Sequence, residues 1–158
     1  MTGEKKIKGR KRHILVDTLG LIHRLKIHEA NIQDRDGAIL LLQEQQPQEF
    51  PRMKKLWLDS GYAGRCKRWV EETFKWDVEV VRRPGEGNRG VWCLPDQEPP
   101  PLPKGFQIVK RRWVVERTFG WFGRWRRLSK DYEQHPIVGE AFIYSAMTGL
   151  MLRRLAPL

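Results

Sequence analysis

The stretch "HILVDTLGLIHRLKIHEA", residues 13–30, decides the fold class of this chain. "HILVD" is an apolar run typical of a β-strand, and "TLG" supplies a glycine for a tight turn. "LIHRLKIHEA" then alternates apolar and polar residues as a returning strand does, with Leu21, Leu25 and Ile27 sharing one face. The sequence therefore predicts a β-hairpin.

A helix is predicted directly after the hairpin. In "NIQDRDGAILLLQEQQ", Asp34 or Asp36 would be the N-cap. Ile39, Leu40 and Leu42 would form its apolar side. The two acids could instead be metal ligands, but capping is the interpretation that we favour.

Two further strands are predicted downstream, with a helix between them. "KKLWLDSGYAG", residues 54–64, has an apolar run, an acid and then small residues, which is typical of a buried strand that ends at Asp59. Residues 64–75 predict a helix, and "DVEVVRRP" predicts a strand. Residues 84–105 are rich in proline and glycine and predict a surface loop or insertion. The core candidates of the helix are Cys66, Trp69, Val70 and Phe74.

Two helices are predicted to close the chain, over about residues 108–128 and 137–155. The second is apolar over most of its circumference, so we expect it to be well buried. Strands followed by helices in this order predict a mixed α/β layer fold. The two cysteines, Cys66 and Cys93, are expected to be free thiols, and the four histidines show no convincing cluster.

The segment "KRRWVVERTFGWFGRWRR", residues 110–127, holds one acid, Glu116, among seven basic residues. Helical geometry places Arg112, Gly120 and Gly123 on the same side as Glu116. Each glycine inside a helix costs about 1 kcal/mol relative to alanine, but bare backbone would let another molecule approach the carboxylate. The alternative is an ordinary amphipathic helix, in which Glu116 pairs with Arg112 and the glycines serve helix packing.

Cations dominate the chain, whose formal net charge is +11, and this favours a polyanionic partner. Seven tryptophans in 158 residues suit nucleic acid better than a purely electrostatic coat. The predicted DNA-binding residues surround Glu116: Lys110, Arg111, Arg112, Arg117, Arg124 and Arg127. A non-catalytic, basic nucleic-acid-binding or regulatory fragment explains the same charge without any metal.

Asp59 also has two interpretations. An aspartate after a strand often only forms a turn or caps a helix. A carboxylate at the carboxyl end of a buried strand also lies where α/β folds place their ligands. If Glu116 lies beside it, the two acids would make a hard-oxygen site suited to Mg²⁺ or Mn²⁺. Two such ions stabilise the attacking and leaving oxygens of phosphoryl transfer.

Four blocks, "GRKRHILVDTLG", "ANIQDRDGA", "LWLDSGYAG" and "RRWVVERTFGWFGRWRRLSKDYE", resemble consecutive blocks of the DDE-type transposase domain of bacterial insertion sequences. The resemblance implies an RNase H-like mixed sheet flanked by helices. It also implies a transposase that uses divalent metal to cut transposon ends and join them to double-stranded target DNA. With no secretory signal and no membrane-spanning run, we expect a protein of the bacterial cytoplasm, associated with the nucleoid.

The resemblance assigns roles to three residues. Asp59 matches the second catalytic aspartate of the family, Glu116 its catalytic glutamate, and Arg112 the arginine of the signature around that glutamate. The sequence departs from the wider signature at Val109, where the family has an aromatic residue, and at Gly123, where it has a basic one.

The family's first catalytic aspartate lies upstream of the block with which this chain begins. Asp17 does not replace it, because it falls in the predicted turn at the far end of the hairpin. We therefore expect residues 1–158 to be the C-terminal part of a transposase domain, with its sheet incomplete at the N-terminus and strand edges unpaired. The two-metal site is expected only in the complete domain, and this chain alone is expected to be weak or inactive. Its expected partners are DNA, further copies of itself or the missing N-terminal portion.

Overall fold

A computed structural model describes residues 9–82 and 109–156 of the chain, without the side chain of Lys110. The loop predicted over residues 84–105, and Cys93 within it, lie outside these ranges. The four described strands are β1 (Arg10–Val16), β2 (Ile22–Glu29), β3 (Lys55–Asp59) and β4 (Asp77–Val81). The four described α-helices are α1 (Asp34–Leu42), α2 (Arg65–Phe74), α3 (Lys110–Phe122) and α4 (Pro136–Leu155). Short 3₁₀ turns cover Pro47–Glu49, Ser60–Tyr62 and Arg126–Leu128.

The predicted hairpin is confirmed. β1 and β2 pair antiparallel from Arg10 opposite Glu29, with an irregularity at the end of β1. The Asp17 carboxylate closes the turn by accepting hydrogen bonds from the amides of Leu19 at 2.9 Å and Leu21 at 2.8 Å. Asp17 is therefore a turn residue, which agrees with its exclusion from the predicted catalytic set.

The mixed α/β class is confirmed, but the described strands do not form one sheet. β1 pairs with β2, and β3 pairs in parallel with β4, which gives two separate two-stranded sheets within the described residues. Helix α2 makes the crossover from β3 to β4, as parallel pairing requires. These two small sheets are compatible with the expected RNase H-like arrangement, which stays a prediction because β1 and β3 are not hydrogen-bonded to each other within the described residues.

Two apolar clusters hold these elements together. One lies between α1, α2 and β3–β4, and its fully buried members are Cys66 and Val70, as predicted. Burial raises the pKa of the Cys66 thiol to about 11, and this thiol is free. The other cluster joins the hairpin to the two closing helices through Leu25, Ile27 and Ile143. The hairpin is thus covered on both faces.

The closing helices differ from their sequence predictions. Helix α3 ends at Phe122, with Gly123 as its C-cap, instead of continuing to residue 128. Helix α4 buries only one side against the hairpin and leaves Ile137 72% and Leu152 60% exposed. The prediction of a well-buried α4 is wrong, because apolar composition around a helix does not determine how many neighbours pack against it. The N-cap of α1 is Gln33, so the prediction of Asp34 or Asp36 at that position is wrong, and both acids lie in the first turn of the helix.

Two histidines meet in the interior, contrary to the prediction that none cluster. His13 and His28 are diagonal neighbours on the hairpin, where their rings stack at 4.7 Å between centroids. Tyr62 lies with its hydroxyl 3.0 Å from His13 Nδ1, and His28 Nδ1 lies 2.7 Å from the Glu29 carbonyl oxygen. Helix α1 crosses this pair at Gly37, where an added Cβ would lie 2.3 Å from His28 Nε2. Only glycine therefore lets α1 pack this closely.

We predict that Gly37→Ala lowers the free energy of unfolding by about 1–3 kcal/mol, because the new methyl group overlaps both imidazoles. The matched control is Gly120→Ala, whose Cβ would meet nothing within 4 Å. Alanine there should raise the stability by up to about 1 kcal/mol through its helix propensity. Urea denaturation of both variants measures the difference, and equal effects would contradict the packing described at Gly37.

The stability should also depend on the protonation of His13. Burial, reinforced by the charge of His28, lowers the pKa of His13 from 6.5 to about 4. Between pH 4 and pH 6.5 the unfolded chain binds more protons than the folded chain. The free energy of unfolding therefore has its full value above pH 6.5 and falls as the pH decreases toward 4. His13→Gln should flatten this decline, whereas His135→Gln, at an exposed position, should leave its slope unchanged. Denaturant titrations at half-unit pH intervals provide the measurement.

Candidate active site

Asp59 is the last residue of β3, at the carboxyl end of the strand. Its Oδ1 accepts a hydrogen bond from the Ser60 amide at 2.7 Å and so caps the 3₁₀ turn that follows. Its other oxygen, Oδ2, faces helix α3, and the side chain is 38% exposed. The two sequence interpretations of Asp59 are therefore compatible, because one carboxylate oxygen forms the turn while the second remains available.

Glu116 lies in the middle of α3, and Arg112 lies one turn before it. The Nη2 atom of Arg112 is 3.3 Å from Asp59 Oδ2 and 3.7 Å from Glu116 Oε1. The separation of Asp59 Oδ2 and Glu116 Oε1 is therefore no larger than the sum of these two distances. The structure brings together the two acids that the sequence singled out, with a guanidinium between them. Their catalytic role stays a prediction.

The exposure of these three side chains indicates which can meet a ligand. Arg112 is 17% exposed, whereas Glu116 is 50% exposed. Both acids line a cavity of about 220 Å³ whose other walls are mainly apolar. The carboxylates therefore face solvent at the mouth of this cavity, while the guanidinium is inserted beneath them.

A buried hydroxyl determines where α3 lies. Thr118 is fully buried, and its Oγ1 donates to the Gly20 carbonyl at 2.8 Å. The same Oγ1 lies 3.0 Å from the Val114 carbonyl, one turn back along the helix. Gly20 has a φ of 82° and no side chain to hold Thr118 away. The hairpin turn is thereby joined to α3 two residues beyond Glu116.

The amino-terminal end of α3 is held against β3 by an aromatic contact. The Arg111 guanidinium lies 4.2 Å from the centre of the Trp57 ring. The indole N–H of Trp57 donates to Glu79 on β4 at 3.1 Å, which fixes the ring. Because Trp57 precedes Asp59 by two residues, this contact aligns the strand that bears one acid with the helix that bears the other.

The predicted DNA-binding cations have different environments. Arg117 donates to the Leu19 carbonyl at 2.9 Å and lies over the Trp121 ring. Arg127 pairs with Glu133 at 2.7 Å, although its side chain remains 61% exposed. These two arginines hold α3 to the hairpin turn and the chain after α3 to Glu133.

The remaining members of the predicted set are less constrained. Arg124 is exposed to solvent, and Arg111 is exposed while stacked on Trp57. The side chain of Lys110 lies outside the described part of the structure. The backbone at Gly120 faces open space one turn beyond Glu116. A molecule that approaches the carboxylates from this side thus meets bare helix and exposed cations.

The donor set fits a divalent cation only in part. Asp59 and Glu116 are two hard carboxylates, and Mg²⁺ is commonly held by one or two carboxylates with water and substrate phosphate completing its shell. Within residues 9–82 and 109–156, no group of three or more acids, histidines or cysteines converges on one point. The described acids therefore fit one ion and do not provide a second one with its own carboxylate.

Sequence reasoning missed Thr118 and Trp57 as residues that position the site. The sequence did indicate Thr118, because it is a small polar residue on the apolar face of α3. Trp57 was assigned only to a buried strand, and its exposed edge under Arg111 depends on the packing of α3. Neither interaction leaves a local spacing pattern.

We predict that Thr118→Val lowers the free energy of unfolding by about 1–3 kcal/mol, because the buried Gly20 carbonyl loses its donor. Thr148→Val is the matched control, since Thr148 makes the same bond to a carbonyl one turn back but is exposed. Its effect should stay within about 0.5 kcal/mol. Thermal and urea unfolding compare the two variants, and equal losses would show that the link to the hairpin turn contributes nothing.

Comparison with known proteins identifies one family match. The family model described as "Transposase DDE domain" matches residues 1–148. No curated protein and no solved structure gave a match. No helix in the described part of the chain is long and apolar enough to cross a membrane.

Proposed function

Because the chain belongs to the transposase DDE domain family over residues 1–148, we propose that it cleaves and joins DNA phosphodiester bonds during transposition. Its substrates are then double-stranded transposon ends and target DNA. The family match supports a transposase function. The catalytic residues and the metal are proposed from the resemblance to the family, and the geometry of the site supports that proposal.

One observation supports the assignment most directly: a single Arg112 atom lies within 4 Å of both Asp59 and Glu116. These acids come from different elements, yet their free oxygens converge at a solvent-facing cavity mouth. A purely structural ion pair needs only one acid. Convergence of two exposed carboxylates is costly by Coulomb repulsion and is typical of a site for cations.

We assign Asp59 and Glu116 as ligands of one Mg²⁺ or Mn²⁺ ion. Such an ion, when bound, polarises the phosphoryl group and lowers the pKa of a water or DNA 3′-hydroxyl that attacks it. Asp59 is suited to this role because its Oδ1 is anchored to the Ser60 amide, which orients Oδ2 outward. Glu116 is exposed and free to reorient.

Arg112 has a different role in this proposal. Its guanidinium places one positive charge beside the two acids and limits their repulsion when no cation is present. The Arg112 guanidinium could also donate hydrogen bonds to a DNA phosphate that reaches the site. Arg112 would thereby hold the DNA backbone beside the carboxylates, and the exposed Arg111 and Arg124 would contact phosphates farther along.

We expect low activity from this chain on its own. The described residues offer two converging carboxylates, whereas the two-metal mechanism needs a bridging acid between the ions. A carboxylate outside the described residues would have to supply it. Metal binding by Asp59 and Glu116 is therefore a better readout than turnover.

We predict that Asp59→Asn and Glu116→Gln each weaken Mn²⁺ binding at least tenfold, because each removes one of two charged ligands. Glu72→Gln removes an exposed acid of α2 and serves as the charge-matched control. Isothermal titration with Mn²⁺ measures binding, and nicking of supercoiled plasmid DNA measures any residual cleavage. Unchanged Mn²⁺ affinity in both site variants would contradict the assignment.

The second candidate function is a DNA-binding module without catalysis. It is favoured by the position of Arg112, which already occupies the space between the acids. Such a module should bind DNA equally well in EDTA and in Mn²⁺, and equally in all three variants. Its affinity should still fall steeply with salt through release of counterions. Gel-shift titrations in EDTA separate this outcome from the first.

A further inference from the structure

The short turn after β3 carries a second side chain that bears on the candidate site. The Ser60 amide donates to Asp59 Oδ1 at 2.7 Å, and the Ala63 amide donates to the Ser60 carbonyl at 3.1 Å. Tyr62 is the last residue of this 3₁₀ turn and packs, partly buried, on the apolar cluster of α1, α2 and β3–β4. Asp59 and Tyr62 therefore lie at the two ends of one short segment of backbone, so a displacement of the tyrosine also displaces the acid.

The hydroxyl of Tyr62 ties this turn to β1. It lies 3.0 Å from His13 Nδ1, and the two rings meet edge to face with their centroids 5.8 Å apart. His13 is 5% exposed and lies in the middle of β1, whereas the turn follows β3. Within residues 9–82 and 109–156, no β-ladder joins these two strands. A hydrogen bond between side chains therefore connects the end of β3 to a strand with which it shares no ladder there.

The imidazole that holds Tyr62 is itself held in place. His13 stacks on His28 with 4.7 Å between the ring centroids, and His28 Nδ1 lies 2.7 Å from the Glu29 carbonyl oxygen. The backbone of α1 passes close by at Gly37, where an added Cβ would lie 2.5 Å from His13 Nε2. The His13 ring thus cannot shift without disturbing the hairpin or α1, which makes it a fixed anchor for the hydroxyl.

Both partners of this hydrogen bond are uncharged near neutral pH. Burial, reinforced by the charges of Asp34 and Asp59, raises the pKa of Tyr62 to about 12. Burial, reinforced by the charge of His28, lowers the pKa of His13 to about 4. If the rings separated, His13 Nδ1 would lose its partner, and a buried polar atom without a partner is unfavourable. The bond therefore favours one position of the tyrosine ring.

The hydrogen-bonded pair lies beside the candidate site. His13 and Tyr62 line the same cavity of about 220 Å³ as Asp59, Arg112 and Glu116. Arg112 limits the direction of Asp59 Oδ2 from the side of α3, at a distance of 3.3 Å. The 3₁₀ turn limits it from the side of β3, because the Ser60 amide holds Oδ1. The orientation of Asp59 Oδ2 therefore depends on the turn as well as on the guanidinium.

We propose that His13 and Tyr62 are positioning residues for Asp59, because their hydrogen bond holds the 3₁₀ turn that directs Asp59 Oδ2 toward α3. Side chains behind a metal ligand commonly orient it in this way. Neither His13 nor Tyr62 touches the cation or the DNA. The consequence for metal binding rests on the proposed function, in which Asp59 is a ligand. The alternative is that Tyr62 only fills the apolar cluster, in which case phenylalanine would serve equally well.

Tyr62→Phe tests this proposal, because it keeps the ring and removes only the hydroxyl. Hydrogen exchange of the Ser60 and Ala63 amides should become about tenfold faster, since the turn opens more often. Mn²⁺ should bind about tenfold more weakly. The matched control is Tyr144→Phe, which removes a hydroxyl that accepts from the Leu25 amide of β2 at 3.0 Å, and it should change neither readout. Unchanged exchange at Ser60 and Ala63 in Tyr62→Phe would overturn the proposal.

A double variant tests whether the two residues act through one bond. His13→Leu, which cannot accept a hydrogen bond, should by itself speed exchange of the Ser60 and Ala63 amides. Adding Tyr62→Phe to His13→Leu should then change that exchange by less than about twofold, because the bond is already absent. Effects that multiply in the double variant would show two independent defects and would overturn the proposal. Should His13→Leu fail to fold, the comparison of Tyr62→Phe with Tyr144→Phe decides alone.

Mn²⁺ titration of the same samples separates this inference from the proposed function. If the native chain binds no Mn²⁺, the proposed function fails, and exchange at Ser60 and Ala63 still decides whether the bond holds the turn. If Tyr62→Phe speeds exchange but binds Mn²⁺ as tightly as the native chain does, Asp59 is not positioned through the turn and the inference is overturned. Equal weakening of Mn²⁺ binding in Tyr144→Phe would show a general loss of stability and would also overturn it.

Discussion

The geometry of the candidate site depends on one guanidinium between two carboxylates. Opposite unit charges about 4 Å apart attract by about 1 kcal/mol in water and about 4 kcal/mol near a protein surface. Arg112 attracts both acids at this range, because its Nη2 lies 3.3 Å from Asp59 and 3.7 Å from Glu116. The two carboxylates suit a cation, and the guanidinium suits a phosphate.

Two further contacts fix the position of α3 relative to the hairpin and to β3. Thr118 ties α3 to the hairpin turn through the Gly20 carbonyl, and Arg111 lies on Trp57 of β3. Arg111 precedes Glu116 in the sequence and Thr118 follows it, so α3 contacts both β3 and the hairpin turn. The cavity that both acids line is bounded by β1, α1, β3 and α3, so it depends on the same packing.

Much of the fold and part of the candidate site followed from local patterns. The hairpin is determined by alternation on both sides of a turn that Asp17 closes. The helix with Cys66 and Val70 in its core has a clear apolar face, and the strand before it ends at Asp59 as predicted. Glu116 was conspicuous as one acid among many cations. The family model over residues 1–148 agrees with the resemblance carried by these blocks.

The sequence by itself determined which segments become strands and helices and which two acids deserve a test, because turn chemistry and periodicity act over a few neighbouring residues. Only the tertiary structure decided that His13 and His28 stack against Gly37, that α4 keeps an exposed apolar face, and that Arg112 lies between Asp59 and Glu116. Those outcomes depend on which distant elements meet and on the direction of each side chain. The spacing of residues along a chain determines neither which distant elements meet nor the direction of a side chain.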